Sequence, residues 1–463
     1  MYYDELLRLC GYEPEQIERE RPRIEKAFEK LEFTPEDIDR GEKRVRQYFD
    51  IELNSIRKTL GLWIQCLIDL VLAREERRKI IYCAMPPFSS LMNVMAMVSE
   101  DIYVSPPDIV LSHTVGGIFD KLNPILETAE GDLLPAGSAS CGGILAKLGA
   151  IIKGIIPVPD LLVSSGFVCD QTPKIDQLIG ERYGIPVAYV DGPHDEMRKN
   201  WPQISDRRVK YLAQEAKDAL TKFKEVTGYT VTEEVSRRAN ERSTDLATRC
   251  NQVFDLIRHA DPAPISFVNI GKAFPLVVAV NTTTLYKDME GLVDLLYREI
   301  GERVDRGEGV LPKGALRVAV DVIWTDPAPL SMIEKAGLVV VIDLGNGMVA
   351  TEPERVPSKY EGFWESSANL VLRFCGTKFA ERLTQMCKES GFDGVILNYP
   401  IGCRDLCIAP LKARELITKE LGIPVLLLEC DHVDTRNYSA EAMRGRVEAF
   451  AEMLKAAKAA KAK

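Results

Sequence analysis

The chain has 463 residues, 46% hydrophobic and 28% charged, with a formal net charge of −10. That length exceeds one core of ordinary size, so two or three domains are expected. The acidic balance argues against nucleic acid or an anionic membrane as main partner, since either calls for a basic face; the Lys-rich tail KAAKAAKAK reads as a solvated helix end.

The N-terminal stretch MYYDELLRLCGYEPEQIERERPR is charged throughout and lacks an apolar h-region, so it is no secretory signal and a cytoplasmic chain is expected. Residues 1–80 carry helical periodicity with dense Glu, Arg and Lys, which predicts a helical N-terminal region. A first α/β domain is assigned to 81–205, where the runs KIIYCAMP, DIVLSH, DLLVSSG and PVAYVDG alternate with helical stretches, the pattern of a parallel sheet. Its most apolar part, Gly142 to Val168, contains Lys147, Lys153, Asp160 and two prolines, and reads as buried helix, turn and strand, not as a membrane span. Residues 206–307 return to long amphipathic helices. After the linker GEGVLPKG, the runs ALRVAVDVIW, GLVVVIDLG, DGVILNYP and PVLLLEC mark a second α/β domain over 308–463. The predicted fold class is α/β: two Rossmann-like parallel-sheet domains facing each other across a cleft, with a helical N-terminal region and intervening helices.

One unit recurs. PDLLVSSGFVCDQTPKIDQLIGERYGIPVAYVDGPHDE orders an acidic residue, an apolar strand, Gly, Cys169, a helix, Gly-Ile-Pro and a second strand. FDGVILNYPIGCRDLCIAPLKARELITKELGIPVLLLECDHVD repeats that order around Cys403, and Asp160 precedes Cys169 by about the separation at which Asp393 precedes Cys403. Such a repeat suggests duplicated Rossmann-like halves, not a solenoid. Open parallel sheets bind ligands beyond the carboxyl ends of their strands, where both cysteines fall. Each also lies at a predicted helix N-terminus, whose positive field is expected to lower a thiol pKa, with packing in a tight turn as the competing reading. Cys141, in LPAGSASCGGILAKLG, is a third cysteine between loop and helix.

Three such thiolates meeting in a cleft would suit a metal centre better than a nucleophile. The chain has no CxxC pair for structural zinc and no ferredoxin run, Cys403 and Cys407 forming an isolated C-x-x-x-C, which leaves a cluster held by dispersed cysteines. Eleven cysteines in a reducing compartment are not expected to form a disulfide framework; Cys10, Cys66, Cys83, Cys250 and Cys387 are assigned to packing.

The stretches CGGILAKLGAIIKG, DLLVSSGFVCDQTPKIDQLIGERYGIPVAYVDGP, FDGVILNYPIGCRDL and KELGIPVLLLECDHVDTRNYSAEAMRGRVEAFAEML resemble the iron-sulfur component of 2-hydroxyacyl-CoA dehydratases and ATP-dependent benzoyl-CoA reductases. The resemblance covers most of the chain from about residue 80, whereas the first 80 residues match only in being helical. It implies that Cys141, Cys169 and Cys403 bind a 4Fe-4S cluster between two Rossmann-like domains, the fourth iron facing the substrate or a small ligand. It further implies single-electron transfer at low potential into a CoA thioester, giving a ketyl or aryl radical anion, after which dehydratases expel a hydroxyl group and reductases dearomatise a ring. The implied partners are an ATP-hydrolysing activator of the acetate-kinase-like fold with its own 4Fe-4S cluster, and a homologous subunit in a hetero- or homodimer. In keeping with a separate ATPase, the chain has no G-x-x-x-x-G-K-[ST] motif.

Members commonly carry a further cysteine and a Pro-Glu pair ahead of the first cluster cysteine, where this chain reads VLSHTVGGIFDKLNP. His113 there, read at a strand end, is a candidate proton donor or substrate contact, against the reading of a hydrogen-bonded loop histidine. Cys375, Cys407 and Cys430 would bring the set to six, enough for the double-cubane, eight-iron branch of the family, which reduces small molecules; packing is the competing reading. A third alternative is a non-catalytic electron carrier or scaffold whose partner subunit does the chemistry. Asp431, His432 and Asp434 read as a functional acidic turn or as a helix cap. Gly345-x-Gly347-x-x-Ala350 is rejected as a dinucleotide site because prolines follow where a helix is needed.

Overall fold

The computed structural model describes residues 1–76, 78–83, 89–132, 140–167, 169–192, 203–279, 283–321, 324–343, 358–373, 379–400, 402–437 and 439–461. Four helices come first: α1 (Asp4–Leu9), α2 (Pro14–Lys30), α3 (Pro35–Tyr48) and α4 (Asn54–Leu72). Proline opens α2 and α3, where its missing N–H costs nothing. A reciprocal Thr34–Asp37 capping box fixes the start of α3. The last of the four, α4, is apolar on most of its circumference and accordingly buried.

The first sheet holds β1 (Lys79–Cys83), β2 (Ile102–Ser105), β3 (Leu161–Ser165) and β4 (Val187–Val190), all parallel, in the order β2-β1-β3-β4. Between the strands run α5 (Ser89–Ala96), α6 (Pro107–Leu111), α7 (Asn123–Asp132), α8 (Gly142–Ile152) and α9 (Thr172–Tyr183). Next come α10 (Asp206–Thr227), α11 (Glu233–His259), α12 (Phe267–Ala273), α13 (Leu276–Ala279) and α14 (Thr283–Arg306). The second sheet holds β5 (Leu316–Asp321), β6 (Leu338–Asp343), β7 (Gly394–Asn398) and β8 (Val425–Leu428), again parallel, in the order β6-β5-β7-β8. With it go α15 (Pro327–Lys335), α16 (Phe363–Leu372), α17 (Phe379–Ser390), α18 (Arg404–Leu416) and α19 (Ala440–Lys461).

The two sheets share one strand order, and the sequence repeat is visible atom by atom. Asp160 takes the Ile80 N–H on its carboxylate at 2.8 Å and donates its own N–H to the Ile80 carbonyl at 2.7 Å. Asp393 does the same to Arg317, at 2.9 and 2.8 Å. Each acidic residue thus sets the register in which β3 joins β1, or β7 joins β5. The repeated Gly-Ile-Pro also has one role: Gly184 and Gly422 take φ of 67° and 65°, a left-handed turn cheap only for glycine, and each ends a helical run before β4 or β8.

Both faces of the first sheet are covered. Ile80 and Tyr82 of β1 point into the core that runs from the N-terminal helices to the second sheet, while Ile81 and Cys83 point into a second cluster with α5, α10 and Leu372. This explains the continuous apolar runs where one buried face would give alternation. Within the helical stretch 206–307, α10 packs against β3 and β4, whereas α12 and α14 pack against α4.

One predicted strand is a helix. DIVLSH forms α6 and a π-helical turn, Ser112–Gly116, and the strand is instead the preceding IYVS. Pro107 opens the helix, and Ser112 and Thr114 return hydroxyl bonds to the carbonyls of Asp108 and Val110. Burial on every side, polar Asp108, Ser112 and His113 included, left no solvent-exposed face to reveal the helical period. No helix among the described residues is long and apolar enough to cross a membrane.

Candidate functional site

Three segments are joined here: two follow strands β3 and β7, and the third lies between α7 and α8. Cys141 is the N-cap of α8, Cys403 is the N-cap of α18, and Cys169 lies three residues before α9. The side chain of Gln171 joins all three: its carbonyl accepts the Cys141 N–H at 3.0 Å, and its amide donates to the carbonyl of Gly402, next to Cys403. Thr172 donates its hydroxyl to the Cys169 sulfur at 3.2 Å. As residues all three cysteines are partly exposed, while the Cys141 thiol itself is buried.

A fourth segment closes the group from beyond β8. Asp431 folds its own turn by accepting the N–H groups of Val433 and Asp434 at 2.9 Å, and it also accepts the Gly142 N–H at 3.3 Å. A Cβ at Gly142 would stand 2.8 Å from both Asp431 Oδ1 and the Asp434 nitrogen, so only glycine lets α8 start here. The acidic turn therefore is not the cap of α19; Ser439 plays that part, accepting the Ala442 N–H.

The electrostatics depart from expectation. Burial pushes the Cys141 thiol well above its ordinary range, and the Asp431 carboxylate and the thiols of Cys403 and Cys169 push it further. The field of the helix start is outweighed because desolvation and neighbouring negative charge both oppose a bare thiolate. Cys403 and Cys169 thus act electrostatically on Cys141. Among the described residues, no three His, Cys, Asp or Glu groups sit close enough to hold a single metal ion.

Behind the thiols lies a buried ion pair, Lys147–Asp176, each side chain 1% exposed. Burial works against the Lys147 ammonium, but Asp176 and then Asp108 outweigh it and raise its pKa, with Cys169 adding to the effect.

The other candidates sit elsewhere. Cys430 is buried in the core, and its thiol donates to the Asp431 carbonyl at 3.2 Å. Cys375 lies outside the described residues, as does the side chain of Cys407; the Gly345–Ala350 motif falls outside them too. Cys10, Cys66, Cys83, Cys250 and Cys387 are buried, and burial pushes the last two thiols up to about 12. His113 stands in the π turn and not at a strand end, stacked on Trp63 with ring centroids 4.7 Å apart. Burial, with Lys272 beside it, holds its pKa well below the usual value, so the imidazole is neutral. Gln171 and the reach of Asp431 to Gly142 carried no sequence signal, because each acts through a contact with a distant segment, whereas Thr172 acts locally, three residues from Cys169. A cavity of about 880 Å³ lies away from the thiols, among the N-terminal helices and α14, lined by Arg23, Lys58 and Asp288 among others.

Residues 102–454 match the model of the 2-hydroxyglutaryl-CoA dehydratase D-component family. Among curated proteins, the chain is 22% identical over 311 residues to the alpha subunit of (R)-2-hydroxyglutaryl-CoA dehydratase of Acidaminococcus fermentans, covering 65% of this chain and 61% of that protein. It is 22% identical over 336 residues to a benzoyl-CoA reductase subunit of Thauera aromatica, covering 68% of this chain and 76% of that one. It is also 22% identical over 312 residues to the (R)-phenyllactyl-CoA dehydratase alpha subunit of Clostridium sporogenes, covering 66% and 73%.

Proposed function

The chain belongs to the 2-hydroxyglutaryl-CoA dehydratase D-component family, and from that premise we propose that it is the iron-sulfur subunit of a cytoplasmic, ATP-dependent enzyme that reduces or dehydrates a CoA thioester by single-electron transfer. Cys141, Cys169 and Cys403 would hold a 4Fe-4S cluster, and that group, when bound, would supply the low-potential electron. The observation that carries the reading is the Gln171 bridge, which ties the Cys141 N–H to the Gly402 carbonyl and so brings thiols from both halves to one place.

The donor set fits. Soft sulfur ligands suit iron-sulfur chemistry. Burial and the Asp431 carboxylate oppose a bare thiolate at Cys141, and coordination to a metal would remove that cost, because a coordinated thiol is deprotonated outright. The chain's own residues have definable tasks: Thr172 gives a hydrogen bond to the Cys169 sulfur, and Asp431 anchors the start of α8 through Gly142. The eight-iron alternative would need Cys375, Cys407 and Cys430, and the Cys430 thiol is committed to a carbonyl. His113, neutral and packed on Trp63, is given no proton-transfer role in this reading.

The relatives are subunits, and the proposal includes a homologous partner subunit and a separate ATP-hydrolysing activator of acetate-kinase-like fold. Anaerobic purification with iron and sulfide quantitation and EPR tests the reading. About four irons per chain is the expected result; a properly reconstituted chain holding none overturns it.

A further inference from the structure

Lys272 of α12 is 3% exposed and has no part in the site described above. Its ammonium donates to the His113 carbonyl at 2.9 Å and to the Thr325 carbonyl at 2.8 Å, and lies 3.4 Å from His113 Nδ1. His113 belongs to the π turn of the first half, and Thr325 to the loop after β5 in the second. The backbone of Lys272 is fixed from a third side, where Trp63 of α4 donates its indole N–H to the Lys272 carbonyl at 2.8 Å.

Room for the ammonium comes from a missing side chain. A Cβ at Gly117 would stand 2.0 Å from Lys272 Nζ and 2.5 Å from the Thr325 carbonyl oxygen. Arg44 of α3 spans the same seam, donating to the Gly117 carbonyl at 3.3 Å and to Asp326 at 2.7 Å. From Thr325 the contacts continue toward the thiols. Its N–H donates to the His432 carbonyl at 3.0 Å, and the adjacent Asp431 holds the Gly142 N–H beside Cys141.

We propose that Lys272 is a positioning residue, a buried latch that holds the second half against the first through the carbonyls of Thr325 and His113 and so fixes the approach of Cys403 to Cys141. The latch sets the relative position of two thiols, and it stands whether or not iron occupies them. Its geometry explains why a lysine is buried here at all: each tie joins an N–H of the Lys272 amine to a carbonyl at the seam, one from each half.

The test uses the full-length, metal-free chain with dibromobimane, which becomes fluorescent when two thiols displace its two bromides, in a background where Cys375 and Cys407 are serine. Cys169→Ser then leaves Cys141 and Cys403 as a pair across the halves, and Cys403→Ser leaves Cys141 and Cys169 as a pair within the first half. Lys272→Met should slow cross-linking of the pair across the halves by about tenfold, the scale of losing charged hydrogen bonds, and leave the other pair at the wild-type rate. Gly117→Ala, which keeps the lysine but fills its seat, should do the same and carries the test if Lys272→Met does not fold. Folded variants in which the pair across the halves reacts at the wild-type rate overturn the latch. So does an equal slowing of both pairs, which would mean general loosening. Iron binding by the wild type is measured separately, so failure of the latch and failure of the cluster assignment give different results.

Discussion

Gln171 donates its side-chain amide to the Gly402 carbonyl, joining residues 231 positions apart in the chain. Its other end accepts the Cys141 N–H at 3.0 Å, so one side chain spans the seam between the halves beside the three thiols. Gln171→Ala removes both ties and should cost about 1–2 kcal/mol of stability in urea titrations. It should also speed iron loss to a chelator several-fold in the reconstituted protein. Gln171→Glu retains an acceptor for Cys141 but sets a carboxylate oxygen against the Gly402 carbonyl, and should be the worse of the two. Iron retention by Gln171→Ala equal to wild type would show that the bridge does not hold the thiols together.

Thr172 is fully buried, and its hydroxyl donates to the Cys169 sulfur at 3.2 Å. A hydrogen bond to a ligating thiolate stabilises the more negative, reduced state of a cluster and so raises its potential. Thr172→Val keeps the shape and loses that bond. The midpoint potential should fall by on the order of tens of mV, the one-electron equivalent of about 1 kcal/mol. An EPR-monitored redox titration reads it, and an unchanged or raised potential would remove Thr172 from the tuning of the site.

How much of this was legible in the sequence depends on the range of the interaction. The register set by Asp160 and Asp393 and the left-handed turns at Gly184 and Gly422 act within one βα unit, and the repeat displayed them as a pattern. The strand IYVS escaped because the longer run DIVLSH reads as apolar strand, and its polar Asp108, Ser112 and His113 are buried with the rest, leaving no solvent-exposed face to mark it as helix. At Cys141 the helix start is local and readable, whereas the burial that dominates its raised thiol pKa, and the Asp431 carboxylate that arrives from 290 positions away to add to it, come only with folding. Gln171 looked like any polar residue in a turn until folding carried Gly402 to it.

Lys147 and Asp176 form an ion pair with each side chain 1% exposed, within reach of the Cys169 charge. Lys147→Met strands the Asp176 carboxylate, and Asp108 with it, in the core. It should cost about 3–5 kcal/mol in denaturant unfolding. The double variant Lys147→Met with Asp176→Leu removes one of the stranded charges and should recover part of that loss. A double variant no more stable than Lys147→Met would mean that packing, and not charge burial, sets the cost.

Lys272 also makes stability depend on pH, and the sign is fixed by which state holds its proton. Burial lowers its pKa from 10.5 to about 7 in the folded chain, Asp326 opposing the shift and Arg44 adding to it. His113, its other titratable neighbour, is neutral through the window because its own pKa is held well below the usual value. Below about pH 7 both folded and unfolded chains carry the ammonium, and the folded one bears the cost of burying it. Between about 7 and 10.5 the unfolded chain binds the proton that the folded chain has released, so this residue's contribution to stability rises with pH and levels off above the upper value. Lys272→Met has no such titration. The stability of wild type minus that of Lys272→Met should therefore climb across the window in denaturant titrations at several pH values, while the difference between wild type and a variant of an exposed, non-titratable residue such as Met453→Ala stays level there. A wild-type minus Lys272→Met difference that is flat, or falls as pH rises, would show that the ammonium keeps its proton through the window, its bonds to the two carbonyls outweighing the cost of burial.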